Sequence, residues 1–272
     1  MKTIHLNDAA SIPVLGLGTW MLTGEICVES VLTALKLGYR HIDTADAYGN
    51  HREVAEGIKR SGIPRKELFI TTKLHLSKGY ERDTVLASGE RFLEELGLEY
   101  IDLLLIHWPD RSTPFSETLG AMNELKKKGL VCALGVSNFT PHHLEDAFAT
   151  GAEITNNQVE LHPSFNQKVL REFCASKNIA ITAYSPLGRK RDLELPLLAE
   201  LAKKYEVSPA QIALNWILSR DMIAIPKSSH PARLKENFEA DSFTMDEADL
   251  KRIDEIPQNE RIVWPTFADF KY

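Results

Sequence analysis

Cysteine is scarce in this 272-residue sequence, and its three cysteines are not spaced for a common role. Cys27, Cys132 and Cys174 lie far apart, each in an apolar stretch typical of a helix or a strand. Such spacing fits neither a disulfide framework nor a zinc site. No group of His, Asp and Glu residues has metal-ligand spacing either. We therefore expect buried structural thiols and no metal.

Long apolar runs and an excess of positive charge are missing as well. No stretch approaches the ~18 residues of a membrane span, and residues 1–5 do not read as a secretory signal peptide. The net charge is −6 and the Lys and Arg residues are scattered, which argues against a nucleic-acid surface. No heptad pattern is visible. The sequence thus predicts a cytoplasmic monomer without membrane or nucleic-acid partners.

What the sequence does contain is a regular alternation of short apolar strands and amphipathic helices. A β-hairpin is predicted first, over residues 2–6 and 12–14, with its turn around Asn7 and Asp8. Eight strand–helix units follow without a linker or a change in composition. Alternating units imply parallel strands, and eight of them in about 250 residues are typical of a closed barrel. We predict the α/β class and one domain over residues 1–272, a (β/α)8 TIM barrel.

The element bounds follow from periodicity and from capping residues. The predicted strands are residues 14–18, 39–43, 68–72, 101–106, 131–136, 155–159, 180–184 and 223–225. The predicted helices are residues 25–37, 52–59, 82–96, 115–127, 141–149, 168–177, 196–205, 209–220, 232–238 and 245–256. Thr140, Ser208 and Thr244 are expected N-caps. A doubly wound open sheet is less favoured, because the turn Gly16-Leu-Gly18 lacks the third glycine of the dinucleotide fingerprint.

Four polar side chains lie at or just after the ends of successive strands: Asp43, Tyr48, Lys73 and His107. In barrel enzymes the active site is built at the carboxyl ends of the strands. Each residue alone has an ordinary explanation, such as a helix cap, a loop aromatic or a hydrogen-bonded rim histidine. Together, on one rim, they predict a catalytic site.

These residues suit the protonation of a carbonyl oxygen during hydride delivery. A phenol has a pKa of about 10, too high for an efficient acid near neutrality. We expect the Lys73 ammonium to lower the pKa of Tyr48, with Asp43 keeping Lys73 charged and oriented. His107, if neutral, would donate a hydrogen bond to the carbonyl oxygen. No residue has the setting of an activated nucleophile, so the hydride must come from a bound cofactor.

The chain resembles the aldo-keto reductase family through long motifs in family order, and the likeness covers nearly its whole length. These motifs are Gly16-Leu-Gly18-Thr-Trp20, Gly38-Tyr-Arg-His-Ile-Asp43-Thr-Ala-x-x-Tyr48, Leu105-Ile-His107-Trp-Pro109, Gly135-Val-Ser137-Asn138-Phe139, Asn157-Gln158-Val-Glu-Leu-His162-Pro163, Tyr184-Ser-Pro-Leu-Gly188 and Ile225-Pro-Lys227-Ser228. The length and the Asn259-Glu-Arg-Ile-Val ending look most like the bacterial 2,5-diketo-D-gluconate reductase branch, which also reduces methylglyoxal and other small aldehydes.

The resemblance implies NADPH as the hydride source and Tyr48 as the proton donor of the Asp43, Tyr48, Lys73 and His107 set. It implies carboxamide contacts from Ser137, Asn138 and Gln158, ring stacking by Tyr184, and pyrophosphate contacts from Ser185, Leu187 and Gly188. The matching residues for the adenosine 2′-phosphate and adenine are Lys227, Ser228, Arg233, Glu236 and Asn237. Trp20 and Trp108 match the aromatic walls of the substrate pocket, beside His107.

Several points stay open in the sequence. Ser137-Asn138 also fits a plain turn, Gln158 a rim hydrogen bond and Trp20 core packing. The basic segment Arg189–Asp192 is too short for a long cofactor strap, and the short loop after Trp108 suggests an open pocket for small aldehydes or keto-sugars. His230 stands near the predicted 2′-phosphate site without an assigned role. The tail, residues 259–272, could fold over the top of the barrel, but the sequence decides neither which end of the barrel it covers nor any substrate preference.

Two other functions remain to be weighed against the reductase. A non-catalytic nicotinamide-binding barrel, acting as a redox-sensing interaction subunit, would usually lack a catalytic residue or carry a long extension. An unrelated phosphate-binding isomerase would need a glycine-rich loop after the seventh and eighth strands. Gly188 is the only glycine after position 151, so the sequence favours the reductase.

Overall fold

The protein is described here by a computed structural model that covers residues 2–7 and 10–272. The predicted hairpin is confirmed as two antiparallel strands, β1 (Thr3–Asn7) and β2 (Ala10–Pro13), although Asp8 of its turn lies outside the described residues. Ile12 is fully buried in an apolar cluster with Phe69 and Leu103. Asn7 donates to the carbonyl of Cys132 at the amino end of a barrel strand. The hairpin therefore closes the bottom of the barrel.

The eight predicted barrel strands form one parallel sheet in sequential order. They are β3 (Gly16–Gly18), β4 (His41–Asp43), β5 (Phe69–Leu74), β6 (Ile101–Ile106), β7 (Val131–Ser137), β8 (Asn156–Glu160), β9 (Ala180–Tyr184) and β10 (Ile223–Ala224). Each strand pairs in parallel with its neighbour along the chain. The predicted barrel is confirmed. One bound matters for the site: β5 extends two residues beyond its predicted end, so Lys73 lies within the strand.

The two edge strands of the sheet are joined next to Gly18. A parallel bridge links Leu15 to Ala224, and the amide of Gly18 donates to the carbonyl of Pro226 over 3.2 Å. A Cβ at position 18 would lie 2.6 Å from the carbonyl oxygen of Ile225. Only glycine allows this approach without a shift in the backbone. Gly18 thus serves the closure of the barrel, whereas a Cβ at Gly16 would meet the buried ring of His41.

Ten α-helices alternate with the strands in the described residues. They are α1 (Gly24–Leu37), α2 (His51–Ser61), α3 (Arg82–Leu96), α4 (Phe115–Lys127), α5 (Pro141–Ala149), α6 (Lys168–Ser176), α7 (Pro196–Tyr205), α8 (Pro209–Ser219), α9 (Pro231–Phe238) and α10 (Glu247–Asp254). Thr140 and Ser208 are confirmed as N-caps, and both form reciprocal capping boxes. No helix in the described part of the chain is long and apolar enough to cross a membrane.

The predicted start of the last helix is wrong. Helix α10 begins at Glu247, and its N-cap is Asp246 rather than Thr244. Met245 is buried just before the cap and Leu250 is buried four residues into the helix, the two positions of a hydrophobic staple. Because Met245 must reach the core, the chain stays extended through Asp246. This packing constraint cannot be read from a threonine at a plausible cap position.

The contact between α1 and α2 depends on Gly57. A Cβ at this position would lie 2.7 Å from Cβ of Val31 and 2.9 Å from the carbonyl oxygen of Val28. Overpacking costs ~1–3 kcal/mol, whereas helix propensity returns only ~1 kcal/mol. We expect Gly57→Ala to lower the free energy of unfolding, measured by urea denaturation.

Helix α4 offers a matched control for that change. Gly120 is also helical, but a Cβ there would meet nothing within 4 Å. Gly120→Ala should therefore raise the free energy of unfolding by up to ~1 kcal/mol. If Gly57→Ala is stabilising to the same degree, the close packing of α1 on α2 is not limiting.

Candidate active site

A buried ion pair lies at the carboxyl ends of β4 and β5. Nζ of Lys73 is 2.6 Å from Oδ1 of Asp43 and also donates to the carbonyl of Thr44 over 2.7 Å. The other carboxylate oxygen of Asp43 accepts from Nε2 of Gln158 over 2.7 Å. Both charged side chains are essentially fully buried. A buried charge is tolerated when it is paired and hydrogen-bonded, and these contacts supply that pairing.

Burial and pairing act in opposite directions on this pair. Burial lowers the pKa of Lys73, and the attraction of Asp43 counteracts only part of that effect. Burial likewise raises the pKa of Asp43, against the opposing influence of Lys73 and Gln158. The ion pair and its hydrogen bonds therefore offset only part of the cost of burying the two charges. Removing one partner would leave an uncompensated buried group.

Tyr48 and His107 lie against each other above this pair. Tyr48 ends a 3₁₀ turn, Asp46–Tyr48, that follows β4. Its ring meets the His107 ring edge-on, with centroids 5.8 Å apart, and Nζ of Lys73 is 5.1 Å from the Tyr48 ring centroid. Both rings are only partly exposed. The four sequence-predicted residues thus come together in one cluster at the top of the barrel.

The pKa values of His107 and Tyr48 both depart from their ordinary values, and for Tyr48 the direction is not the predicted one. Burial, followed by the charge of Lys73 and the effect of His75, holds the pKa of His107 well below its ordinary value, so the imidazole is neutral near pH 7. The predicted lowering of the Tyr48 pKa is wrong. Burial, then Asp43 and Tyr184, hold the pKa of Tyr48 well above 10. The sequence showed a nearby lysine but not the low-polarity surroundings, which penalise the phenolate.

Asn50 fixes the Tyr48 loop and was not singled out from the sequence. Its side chain is fully buried. It accepts from the hydroxyl of Thr44 over 2.7 Å and donates to the carbonyls of Thr19 and Leu22 over 3.0 and 2.9 Å. One amide therefore ties the loop after β3 to the loop after β4. A lone asparagine after a glycine carries no sequence signal of such distant partners.

The predicted nicotinamide residues form a second polar cluster beside His107. Nδ2 of Asn138 donates to the carbonyl of His107 over 3.0 Å, and the hydroxyl of Tyr184 donates to Oδ1 of Asn138 over 2.8 Å. Ser137 donates to the carbonyl of Gln158 over 2.8 Å. Asn138 has φ of 65°, a left-handed conformation that asparagine tolerates. The strand ends of β7, β8 and β9 thus meet next to the cluster of Asp43, Tyr48, Lys73 and His107.

The predicted adenosine end lies at the start of α9. Lys227 and Arg233 are exposed, and neither has an ion-pair partner within 4.0 Å among the described residues. Ser228 accepts from the amide of His230, which is the exposed N-cap of α9. Both cations therefore flank the amino end of α9 in sequence, and a helix start presents unpaired amides to an anion. Of the remaining predicted contacts in this region, Glu236 is half-buried and Asn237 is buried.

The segment after β9 is short, as expected. Ser185 and Leu187 lead into an irregular 3₁₀ stretch, Gly188–Glu194. The guanidinium of Arg189 lies 4.9 Å from the centre of the Trp20 ring. Because Trp20 follows β3, this contact spans the mouth of the barrel above β10.

Aromatic side chains of the C-terminal tail, residues 259–272, complete the mouth. Trp108 meets Phe267 and Phe270, with ring centroids 5.3 and 5.8 Å apart. Trp20 is 45% exposed, and Trp264 and Phe267 are each 54% exposed. The tail therefore lies over the top of the barrel, next to the cluster of Asp43, Tyr48, Lys73 and His107, which settles the point that the sequence left open.

Comparison with known proteins gives the family. Residues 14–258 match the aldo/keto reductase family, and the chain belongs to that family. A solved structure of a candidate 2,5-diketo-D-gluconic acid reductase B is similar to this chain, with a TM-score of 0.92 and 37% identity over 95% of this chain and 93% of that one. The match supports an oxidoreductase of carbonyl or CH–OH groups that uses a nicotinamide cofactor.

Three relatives align over nearly their whole length. A 9,11-endoperoxide prostaglandin H2 reductase of Trypanosoma cruzi is 45% identical, covering 95% of this chain and 93% of that protein. A glycerol 2-dehydrogenase (NADP(+)) of Saccharomyces cerevisiae is 39% identical, covering 99% and 96%. A glyoxal reductase of Bacillus subtilis is 42% identical, covering 96% and 94%. The predicted family, and its branch with glyoxal and diketogluconate reductases, are confirmed.

Proposed function

We propose that this protein is an NADPH-dependent reductase of small aldehydes, ketones or keto-sugars, such as methylglyoxal and 2,5-diketo-D-gluconate, with Tyr48 as the proton donor. The observation that carries the proposal is the buried Lys73–Asp43 pair beneath Tyr48, with the neutral His107 ring against it. When bound, the nicotinamide supplies the hydride. The protein side chains bind, orient and protonate the carbonyl group.

The protonation states support this division of work. Because the pKa of Tyr48 lies above 10, the phenol carries its proton at neutral pH and the proton is available for a carbonyl oxygen, although burial makes it a weaker acid than a free phenol. His107 is neutral, so one ring nitrogen can donate a hydrogen bond without offering a competing acidic proton. As the phenol loses its proton, the Lys73 ammonium 5.1 Å from the ring stabilises the negative charge that develops.

The remaining predicted residues fit a bound dinucleotide. Ser137, Asn138 and Gln158 would hold the carboxamide, and Tyr184 would stack on the ring, because they adjoin His107 at the strand ends. The unpaired cations Lys227 and Arg233 fit a 2′-phosphate. The other proposed cofactor contacts are Ser185, Leu187, Gly188, Ser228, Glu236 and Asn237. Trp20 and Trp108 would wall the substrate pocket. We also propose a cytoplasmic, single-domain monomer whose partner is its small-molecule substrate.

A direct assay tests the proposed activity. NADPH absorbance at 340 nm should fall when methylglyoxal or a nitrobenzaldehyde is added to the protein, and the alcohol should accumulate in equal amount. The same protein with Tyr48→Phe is the negative control. Binding of NADPH without turnover of any aldehyde, ketone or keto-sugar in a panel would instead favour a nicotinamide-binding interaction subunit.

Charge changes around the phenol should shift the pH profile in opposite directions. Asp43 raises the pKa of Tyr48, so Asp43→Asn should lower that pKa and move the alkaline limb of kcat for reduction to lower pH. Lys73 lowers the pKa of His107, so Lys73→Met should raise it and move the acid limb to higher pH. Both variants should also turn over more slowly. If both variants kept the wild-type pH profile, Asp43 and Lys73 would not be coupled to the acid.

A further inference from the structure

Two buried carboxylates face the two nitrogens of one imidazole outside the proposed catalytic cluster. Nδ1 of His162 is 3.0 Å from Oδ2 of Asp192, and Nε2 is 3.3 Å from Oε1 of Glu160. All three side chains are at most 1% exposed. His162 appeared in the sequence only as part of a motif, and neither carboxylate was assigned a role.

Glu160 anchors the C-terminal tail. It is the last residue of β8. Its Oε1 accepts from the amide of Ile262 over 2.7 Å and its Oε2 accepts from the amide of Val263 over 2.8 Å. Beyond this point the tail carries Trp264 and Phe267 over the mouth of the barrel. The buried carboxylate therefore sets where the tail begins to cover the site.

Asp192 anchors the other segment that borders the mouth. It lies in the 3₁₀ stretch Gly188–Glu194 and accepts from both the amide and the hydroxyl of Ser164, over 2.9 and 2.7 Å. The same stretch carries Arg189 to the ring of Trp20. The stretch includes Gly188, one of the proposed pyrophosphate contacts, and therefore borders the cofactor side of the site.

The two contacts of His162 require a cation. A neutral imidazole has a single N–H donor, and only the imidazolium donates from both nitrogens. Burial alone would lower the pKa of His162, but hydrogen bonds and charge from Asp192 and Glu160 outweigh it, so the pKa is raised. The other charged or titratable groups that act on Glu160 are Arg261 of the tail and Tyr184 of β9.

We propose that His162 is a positioning residue that joins the C-terminal tail to segment 188–194, so that the substrate and cofactor borders of the site are ordered together. Its effect on catalysis rests on the proposed function, whereas the link between the segments does not. If either carboxylate loses its donor, order should fall in both segments. The tail should therefore respond at residues 262–263 to a change at Asp192, which hydrogen-bonds neither of them; its other partner, Ser164, accepts from the amide of Asn259 instead.

A matched pair of variants separates the two arms. In His162→Asn the side-chain amide can replace Nδ1 towards Asp192, and in His162→Gln it can replace Nε2 towards Glu160. Asp192→Asn weakens the contacts of segment 188–194 with both His162 and Ser164, whereas His162→Gln removes only its contact with His162. His5→Asn is the control, because His5 is exposed on the hairpin at the opposite end of the barrel.

Hydrogen exchange, measured without cofactor or substrate, reads out the link directly. Loss of a hydrogen bond to a charged group should speed exchange in the segment it anchors by roughly 10-fold or more. With the link, Asp192→Asn and His162→Gln also speed exchange at residues 262–263, and His162→Asn speeds it at 188–194. Exchange that rises only in the segment whose own anchor was changed would overturn the proposal. Circular dichroism confirms that each variant is folded.

Kinetics give a second, pH-dependent readout. Because the pKa of His162 is raised in the folded protein, the imidazolium that joins the two segments is fully formed below about pH 6.5, the ordinary pKa of histidine. The link is lost as the pH rises through the folded pKa. KM for the carbonyl substrate should therefore rise on the alkaline side in the wild type but not in His162→Gln. A parallel rise in both would overturn the role of His162. Failure of all reductase assays would instead refute the proposed function and leave the exchange result intact.

Discussion

Tyr48→Phe is expected to lower kcat for carbonyl reduction by at least ~10², the usual scale for a positioned general acid. The ring would still pack against His107 and above Lys73, so only the ionisable hydroxyl is lost. His107 is neutral and cannot replace it as a strong acid. Affinity for NADPH, measured by fluorescence titration, should barely change. A variant that keeps about a third or more of the wild-type kcat would exclude Tyr48 as the acid.

Tyr205→Phe is the matched control for that substitution. The hydroxyl of Tyr205 donates to Asp249 over 2.7 Å and accepts from the amide of Asp246, which links α7 to the start of α10. Its removal should lower the melting temperature, because two hydrogen bonds are lost far from the mouth. Turnover per folded molecule should stay at the wild-type value. Comparison of Tyr48→Phe with Tyr205→Phe therefore separates the effect of losing any phenol hydroxyl from the effect of losing the proposed proton donor.

The double variant Lys227→Ala/Arg233→Ala is expected to weaken NADPH binding by ~10²-fold or more, since each hydrogen bond to a charged group contributes about 1.5–3 kcal/mol. NADH lacks the 2′-phosphate, so its dissociation constant should change little. The salt dependence of NADPH binding should also fall, because two cations no longer face the phosphate. Titration of both cofactors at two ionic strengths measures all three effects.

Helix α9 provides the control for this prediction as well. Lys235 lies in its last turn, 3.7 Å from Glu239, and is exposed. Lys235→Ala removes the same charge from the same helix but from its last turn rather than its amino end, so the preference for NADPH should persist. If the double variant keeps the wild-type preference too, the phosphate is recognised elsewhere. His230 and the segment with Arg189 and Arg191 are then the next residues to change.

Local patterns were sufficient to predict most of the barrel. Helix α5 begins and ends at its predicted residues. Its start is defined locally, by the N-cap Thr140 and by Pro141 at the first helical position. Helix α3 likewise ends before Gly97, which adopts the left-handed conformation expected of a C-terminal glycine. Helix α10 was predicted two residues too early, because the burial of Met245 depends on elements that are distant in sequence.

The site divides in the same way. Asp43, Lys73 and His107 were identifiable because each stands at a strand end, and parallel strands bring those ends together. The direction of the Tyr48 pKa was wrong because burial is a property of the assembled site. Asn50 and Glu160 escaped notice because each bonds backbone groups of distant segments, up to 103 positions away. Sequence spacing identifies which side chains share a rim, but it does not reveal their surroundings.

The anchor of the tail also bears on how related enzymes diverge. Glu160 holds the amides of Ile262 and Val263, which every residue except proline provides, so docking does not depend on their side chains. The exposed residues beyond them, including Trp264 and Phe267, contribute little to the barrel core. Mutations can therefore accumulate in this stretch while its attachment is retained. Under the proposed function, drift at the tail alone would then change the substrate range while the barrel stays intact.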